Sequence, residues 1–249
     1  MNKKAFTLAE VLITLGIIGV VAALTMPSLV ANYKEKQTVV KLKKVYSVLS
    51  QAYESASNDN GTPDNWNLIA AANGPGAVNF MEIMAPYFRI SKKCGLTSGC
   101  FPNVVYRSML YTRADSQHNF NSSAQHAKFR TSDGTSWTFY VYSPNCSTAS
   151  GNIADICAQI SVDINGNAGP NAFGRDFFSF YVTKKYGIVP GGSFDMTGGS
   201  FGFTTSCLYN KTTEPSGNGF SCTGWAIVNE NMDYLHCSGL AWTGKTKCD

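Results

Sequence analysis

Several patterns in this 249-residue chain set ligating or reactive side chains at spacings that chemistry uses. In Asp163-Ile164-Asn165-Gly166-Asn167, oxygen donors alternate around a glycine as they do at the opening of a calcium loop. The twelfth position of that loop should be a bidentate Glu and is Gly174, so Asp176 would have to complete the set from a different loop shape. The plainer reading is a polar turn whose Asx side chains bond their own backbone. A second pattern, Gly198-Gly199-Ser200-Phe201-Gly202, matches the Gly-x-Ser-x-Gly of a nucleophile elbow. That motif needs a strand before it, a helix after it, and Asp and His partners. Phe203-Thr204-Thr205-Ser206-Cys207 is a weak helix start and the only downstream His is His236, so a Gly-rich loop is expected. His118 and His126 sit in a polar loop and read as surface residues. The cysteines form an even set: Cys94, Cys100, Cys146, Cys157, Cys207, Cys222, Cys237 and Cys248. With no Cys-x-x-Cys and no His pair at ligand spacing, they read as disulfides of an oxidising compartment rather than zinc ligands. Eight cysteines allow 105 connectivities, and pairing sequence neighbours gives the shortest loops.

A further chemical oddity is Glu10. From Phe6 to Val30 it is the only ionisable side chain, in a run long enough at 1.5 Å per residue to cross a hydrocarbon core. A buried acid there costs on the order of 2.5 to 3.5 kcal/mol, so it calls for a partner. A cleaved signal peptide is the competing reading of the lysine-led segment. The apolar run is too long for that, lacks an Ala-x-Ala site and carries a carboxylate.

Lys3-Lys4-Ala5-Phe6-Thr7-Leu8-Ala9-Glu10, followed by the apolar run Val11 to Leu24, closely resembles the cleavage and methylation segment of type IV prepilins and type II secretion pseudopilins. The resemblance implies cleavage between Ala5 and Phe6 by a membrane prepilin peptidase, N-methylation of Phe6, and pairing of Glu10 with a Phe6 amine. Pro27 matches the proline that kinks the lower helix in many members. Ala5 stands where the family usually has Gly. The family also implies other pilin or pseudopilin subunits, an inner-membrane assembly platform and membrane lipid as partners, and in some members a calcium ion that orders a head loop. Asp163, Asn165, Asn167 and Asp176 are the residues here that such an ion would use; no other cofactor is expected. The resemblance places the chain in a bacterial inner membrane with its amino terminus cytoplasmic and its head outside. The lysines beyond the apolar run oppose that orientation by simple charge count, but the cysteines and the motif favour it.

Beyond Pro27, Tyr33, Val39, Leu42, Val45, Tyr46, Leu49, Ala52 and Tyr53 recur at three- and four-residue spacing, which predicts an amphipathic continuation of the helix. Asn58-Asp59-Asn60-Gly61-Thr62-Pro63 ends it. Short helices are expected at Asn67 to Ala70 and Phe80 to Met84, with Gly74-Pro75-Gly76 as a breaker. Strands are expected at Val104 to Tyr111, Lys128 to Thr131, Ser136 to Tyr142, Ile156 to Asp163, Asp176 to Val182 and Trp225 to Val228. Asp133-Gly134 should make a hairpin turn between the second and third of these. Trp225, Tyr234 and Trp242 are expected to pack around Cys222 and Cys237.

The chain therefore reads as α+β: a long N-terminal helix, half membrane and half amphipathic, on a three- to five-stranded antiparallel head with a disulfide-rich C-terminal region. The expected divisions are a leader (1–5), a transmembrane and assembly helix (6–30), a stalk helix (31–58) and an extracytoplasmic head (59–249). Seven basic and three acidic residues precede Asn58, whereas the rest holds thirteen of each. A neutral head speaks against nucleic-acid binding, which needs a concentrated basic surface. Three functions stay open at this point: a filament subunit that is not an enzyme, a minor subunit whose head captures DNA or a surface ligand, and a secreted hydrolase using Ser200.

Overall fold

The computed structural model describes residues 7–69, 74–112, 119–196, 198–210, 212 and 214–248. It divides into two compact units, residues 1–37 and 38–249, and helix α1 (Leu8–Asn60) contributes to both. In the first unit the helix is apolar and long enough to cross a membrane, and its most apolar window is wholly unburied within the chain. Tyr33, expected on the amphipathic stripe, is exposed there.

In the second unit α1 buries Val39, Leu42, Val45, Leu49, Ala52, Tyr53 and Ala56, the three- and four-residue spacing of one helix face. Gly61 ends the helix in the left-handed region (φ +78°), and its N–H bonds the Ser57 carbonyl at 2.8 Å, closing the last turn. Helix α2 (Gly74–Met84) follows. Gly74-Pro75-Gly76 is thus its first turn rather than a breaker, because proline's missing N–H is harmless at the start of a helix. Residues 67–69 are irregular, with Asn67 at φ +49°, and Ala70 lies outside the described residues.

The strands are β1 (Ile90–Gly95), β2 (Ala127–Thr131), β3 (Ser136–Val141), β4 (Thr148–Ser150), β5 (Ile153–Asp163), β6 (Phe177–Thr183) and β7 (Gly187–Pro190). Among the described residues they form one seven-stranded antiparallel sheet in the order β1-β2-β3-β5-β6-β7, with β4 also on β5. The sheet exceeds the three to five strands expected. The additions are the edge strand β1, whose exposed lysines hide any alternation, and the short β4 and β7. The β2–β3 turn runs through Asp133-Gly134, with Gly134 at φ +87°. In the register, Phe139 faces Ile160 and Ile160 faces Phe180, so these three share a face. Tyr46 of α1 stacks on Phe180 at 5.8 Å, and Phe80 of α2 meets Phe139 edge-on at 5.5 Å. That face is therefore the core. Tyr140, Gln159 and Tyr181 are paired across the same strands and point the other way.

Two expected strands are absent. Residues 104–111 are irregular: the Arg107 N–H and C=O bond Asn171 and Phe173 at 3.0 Å each in an isolated bridge, and the Met109 N–H bonds the Asn218 carbonyl at 3.0 Å. Fully buried Tyr106 and Met109 anchor this segment under a loop instead of along a sheet edge. Trp225 to Val228 is helical. After α3 (Phe203–Ser206) the chain forms α4 (Thr223–Val228), whose Gly224 packs so closely that an added Cβ would lie 2.7 Å from the Ser193 backbone. A four-residue apolar run fits either element, and here the tight packing selects the helix. Trp225 and Tyr234 are buried, Phe203 stacks on Trp225 at 4.3 Å, and Trp242 leans on both Trp225 and Phe203.

All eight cysteines pair, as Cys94–Cys100, Cys146–Cys157, Cys207–Cys222 and Cys237–Cys248. The last two bridges hold the C-terminal region, which has little regular structure of its own. The molecule is α+β: a long N-terminal apolar helix, packed over its 38–60 stretch on an antiparallel sheet, with a disulfide-rich C-terminal region.

Candidate functional site

The amino-terminal segment begins with a reciprocal cap. Glu10 Oε2 accepts the Thr7 N–H at 2.8 Å and the Thr7 hydroxyl at 2.9 Å, while the Glu10 N–H donates to Thr7 Oγ1 at 3.2 Å. Thr7-Leu8-Ala9-Glu10 is thus a capping box, a signal present in the sequence that the apolar run obscured. The cap gives the lone carboxylate local donors at the helix start, where the positive end of the helix dipole also favours it. It seats the carboxylate on the N–H of the residue that directly follows Phe6. Ala5 and Phe6 themselves lie outside the described residues.

Further along, the hydroxyls of Thr14 and Thr25 bond the carbonyls of Glu10 and Val21 at 2.9 Å, and Ser28 bonds that of Thr25 at 2.9 Å. Polar side chains on an apolar helix thereby satisfy themselves on their own backbone. Pro27 stands inside α1 and the helix continues through it. Around this frame every large apolar side chain is exposed, with Leu12, Ile13, Leu15, Ile17, Ile18 and Val20 each at 60% or more. A surface of this kind is chemically suited to lipid or to other helices, not to water.

In the head, Asp163, Asn165 and Asp176 come together and Asn167 does not. Asp163 Oδ1 accepts the Asn165 N–H at 3.1 Å, and Tyr106 donates its hydroxyl to Asp163 Oδ2. Asp176 accepts the Asn171 N–H at 2.7 Å, the Ala172 N–H at 2.8 Å and the Asn165 amide at 3.2 Å. Asn167 turns outward to the Arg130 guanidinium at 2.5 Å. Burial, and behind it the charge of Asp176, pushes Asp163 well above the usual carboxylate range; burial also pushes Asp176 up. These residues do not fit a calcium ion. Both carboxylates are engaged by N–H and O–H donors, which would face a cation proton-first. The buried amide oxygens left open, Asn165 Oδ1 and Asn171 Oδ1, fall far short of six to eight ligands. Asx side chains bonding their own loop describe the segment.

Two other polar anchors were invisible from spacing. Lys128, on β2 and fully buried, donates to the carbonyls of Leu96, Asn121 and Ser123 at 3.1, 3.3 and 3.0 Å, and burial pushes its pKa down to about 8. Glu214 receives the hydroxyls of Ser108 and Thr112 at 2.5 Å each, the Leu110 N–H at 2.9 Å and the Asn218 amide at 2.8 Å. Burial opposes its ionisation, but these donors outweigh it and hold the carboxyl below its usual range.

Ser200 lacks a nucleophile's frame. The nearest preceding strand ends at Pro190, the helix after it is only four residues, and Ser200's carbonyl serves as acceptor for Ser206 at 3.1 Å. Among the described residues no three His, Cys, Asp or Glu side chains gather as metal ligands. His126 is half-buried between Phe120 and Tyr140, at 5.3 and 4.9 Å between ring centres, rather than a surface residue; His118 lies outside the described residues.

Residues 1–26 match the prokaryotic N-terminal methylation motif, which is typical of prepilin- and pseudopilin-type proteins. Residues 28–185, well over half the chain, match a family of unknown function, DUF6613, and the chain belongs to that family. No curated protein and no solved structure matches it. Neither matched description names a catalytic activity.

Proposed function

We propose that this protein is a prepilin-like structural subunit of a type II secretion pseudopilus or a related type IV filament, and a substrate of prepilin peptidase rather than an enzyme. Residues 1–5 are removed, Phe6 becomes the methylated amino terminus, residues 6–30 anchor the subunit in the inner membrane, and the head stands outside it. The observation that carries this reading is the methylation motif over residues 1–26 on an apolar helix whose most apolar window is not buried by any of the described residues.

Storage in lipid and assembly into a helical bundle then present the helix with equally apolar surroundings. The hydrophobic effect cannot drive the exchange, so side-chain packing and the satisfaction of Glu10 decide it. The capping box holds one carboxylate oxygen on Thr7. Cleavage before Phe6 creates a cation one residue away, and in low dielectric that attraction orients strongly. A neighbouring subunit's amine serves equally, which would fix the axial stagger between subunits.

The test is Glu10→Ala in cells that carry the assembly machinery. The variant should be processed and membrane-inserted as the parent is, yet enter sheared filaments about tenfold less, the factor set by a loss of roughly 1.4 kcal/mol. Equal filament yield from the variant would remove Glu10 from assembly.

A further inference from the structure

The sheet face turned away from the core carries Tyr140, Gln159 and Tyr181 side by side, and C-terminal loops wall it into a groove of about 610 Å³. That volume lies within the range of small-molecule sites, roughly 300–1,000 Å³. Its lining has an unusual chemistry. The described lining residues include five serines, three tyrosines, three phenylalanines, two glutamines and His126, and none is Asp, Glu, Lys or Arg.

The floor is rigid. Gln159 accepts the Tyr142 hydroxyl at 2.5 Å, and its amide donates to Ser161 and Ser179 at 2.9 and 3.0 Å, which fixes both the amide and the Tyr142 ring. Phe201 covers the buried Tyr181 ring at 4.5 Å and lies 5.3 Å from Tyr142, so the aromatic surface still partly open comes from Tyr140, Tyr142 and Phe201, brought together from two distant parts of the chain. In the wall, Ser221 is completely buried and its hydroxyl has no hydrogen-bond partner among the described residues, whereas Ser200 is exposed. An exposed lining hydroxyl exchanges its water for a ligand's hydrogen bonds at little cost, while a fully buried one lies out of a ligand's reach.

We propose that this groove binds an uncharged saccharide of two or three rings. Sugar rings present apolar C–H faces, which stack on tyrosine and phenylalanine, and hydroxyl edges, which exchange donors and acceptors with serine hydroxyls and glutamine amides. Other ligand classes fit worse. A phosphate, a nucleic acid or an acidic glycan finds no Lys or Arg among the described lining residues, and the His126 ring nitrogen Nδ1 is already engaged by the Ser123 hydroxyl at 2.8 Å. A lipid tail would strip water from the serines without replacing its hydrogen bonds. The fixed Gln159 network and preformed stacking planes lower the ordering cost of binding. The groove's described lining spans residues 120–221 and the inference needs no filament, so it stands or falls apart from the assembly reading.

The experiment uses the full chain in lipid nanodiscs, free of sugar-based detergent, titrated calorimetrically with maltotriose, cellotriose, triacetylchitotriose and, for comparison, trigalacturonate. At least one neutral trimer should bind with a dissociation constant below about 1 mM. Tyr140→Ala should weaken that binding about tenfold by removing a stacking plane. Ser200→Ala, at an exposed lining hydroxyl, should weaken it several-fold while leaving the melting temperature unchanged, a split that loss of fold could not produce. The proposal is overturned if no neutral trimer reaches that affinity, if trigalacturonate binds as well as the best neutral trimer, or if both variants bind as the parent does.

Discussion

Lys128→Met is the sharpest probe of how the head is held. The ammonium is fully buried on β2 and its hydrogen bonds reach three carbonyls, of Leu96, Asn121 and Ser123, which tie the loops flanking β1 and β2 to the sheet. Burial lowers its pKa from 10.5 to about 8 in the folded chain. A unit of pKa is about 1.4 kcal/mol, so the folded state carries a penalty of up to about 3 kcal/mol for the charged form. The sign follows from proton counting. Between pH 8 and 10.5 the unfolded chain holds the proton and the folded chain does not, so Lys128 makes stability rise with pH across that window. Methionine keeps the apolar stem, has nothing to titrate, and leaves the three carbonyls without their donor. At pH 7 the variant should be less stable, because three carbonyls left without a donor at about 1–3 kcal/mol each outweigh the relief of the buried charge. By pH 10.5 the parent's advantage should have grown by up to about 3 kcal/mol. Urea unfolding of both proteins, followed by tryptophan fluorescence from pH 7 to 10.5, reads this directly, and with every cysteine bridged no free thiol confounds the alkaline points. A parent-minus-variant difference that stays flat or shrinks with pH would refute the reasoning.

Other perturbations follow from the same packing. Leu49→Ala, at a fully buried position on the core face of α1, should cost about 2–5 kcal/mol, whereas Val40→Ala, 68% exposed, should stay within about 0.5 kcal/mol in the same denaturation assay. Glu214→Gln should lose about 1–3 kcal/mol at pH 7, because its amide meets hydroxyl and N–H donors where the carboxylate accepted them. Since the folded pKa of Glu214 is depressed, that stabilisation is complete above the ordinary carboxylate range and is lost as pH falls through the folded value. The two stability curves should therefore converge in acid, and parallel curves down to pH 3 would contradict the ion's role.

What could be read from the sequence divides along physical lines. The buried face of α1 was legible because its apolar residues recur at helical spacing over several turns, and the β2–β3 hairpin because Asp133-Gly134 names its turn. The short disulfide loops were legible as the simplest pairing. Trp225 to Val228 was not, since a short apolar run has no period, and its helix is set by the contact of Gly224 with Ser193 across the chain. Tyr106 and Met109 gave Val104 to Tyr111 a strand-like look, yet they are plugs in a loop. Thr7 and Glu10 carry the capping-box spacing openly in the sequence, but an isolated Thr-x-x-Glu before an apolar run is equally compatible with an uncapped spanning helix. The groove could not be read at all. Ser123, Tyr140, Ser200 and Ser221 share one lining although they are scattered along the sequence, and only the sheet and its C-terminal loops assemble them.

The central claim is that this chain is processed as a prepilin. Intact-mass and N-terminal peptide mass spectrometry of the protein purified from membranes of a prepilin-peptidase-positive cell measures it in one step. The account predicts a mature chain that begins at Phe6 and carries one added N-methyl group, with the full head behind it. A chain that keeps Met1–Ala5, or one that starts beyond Ala23, would contradict it.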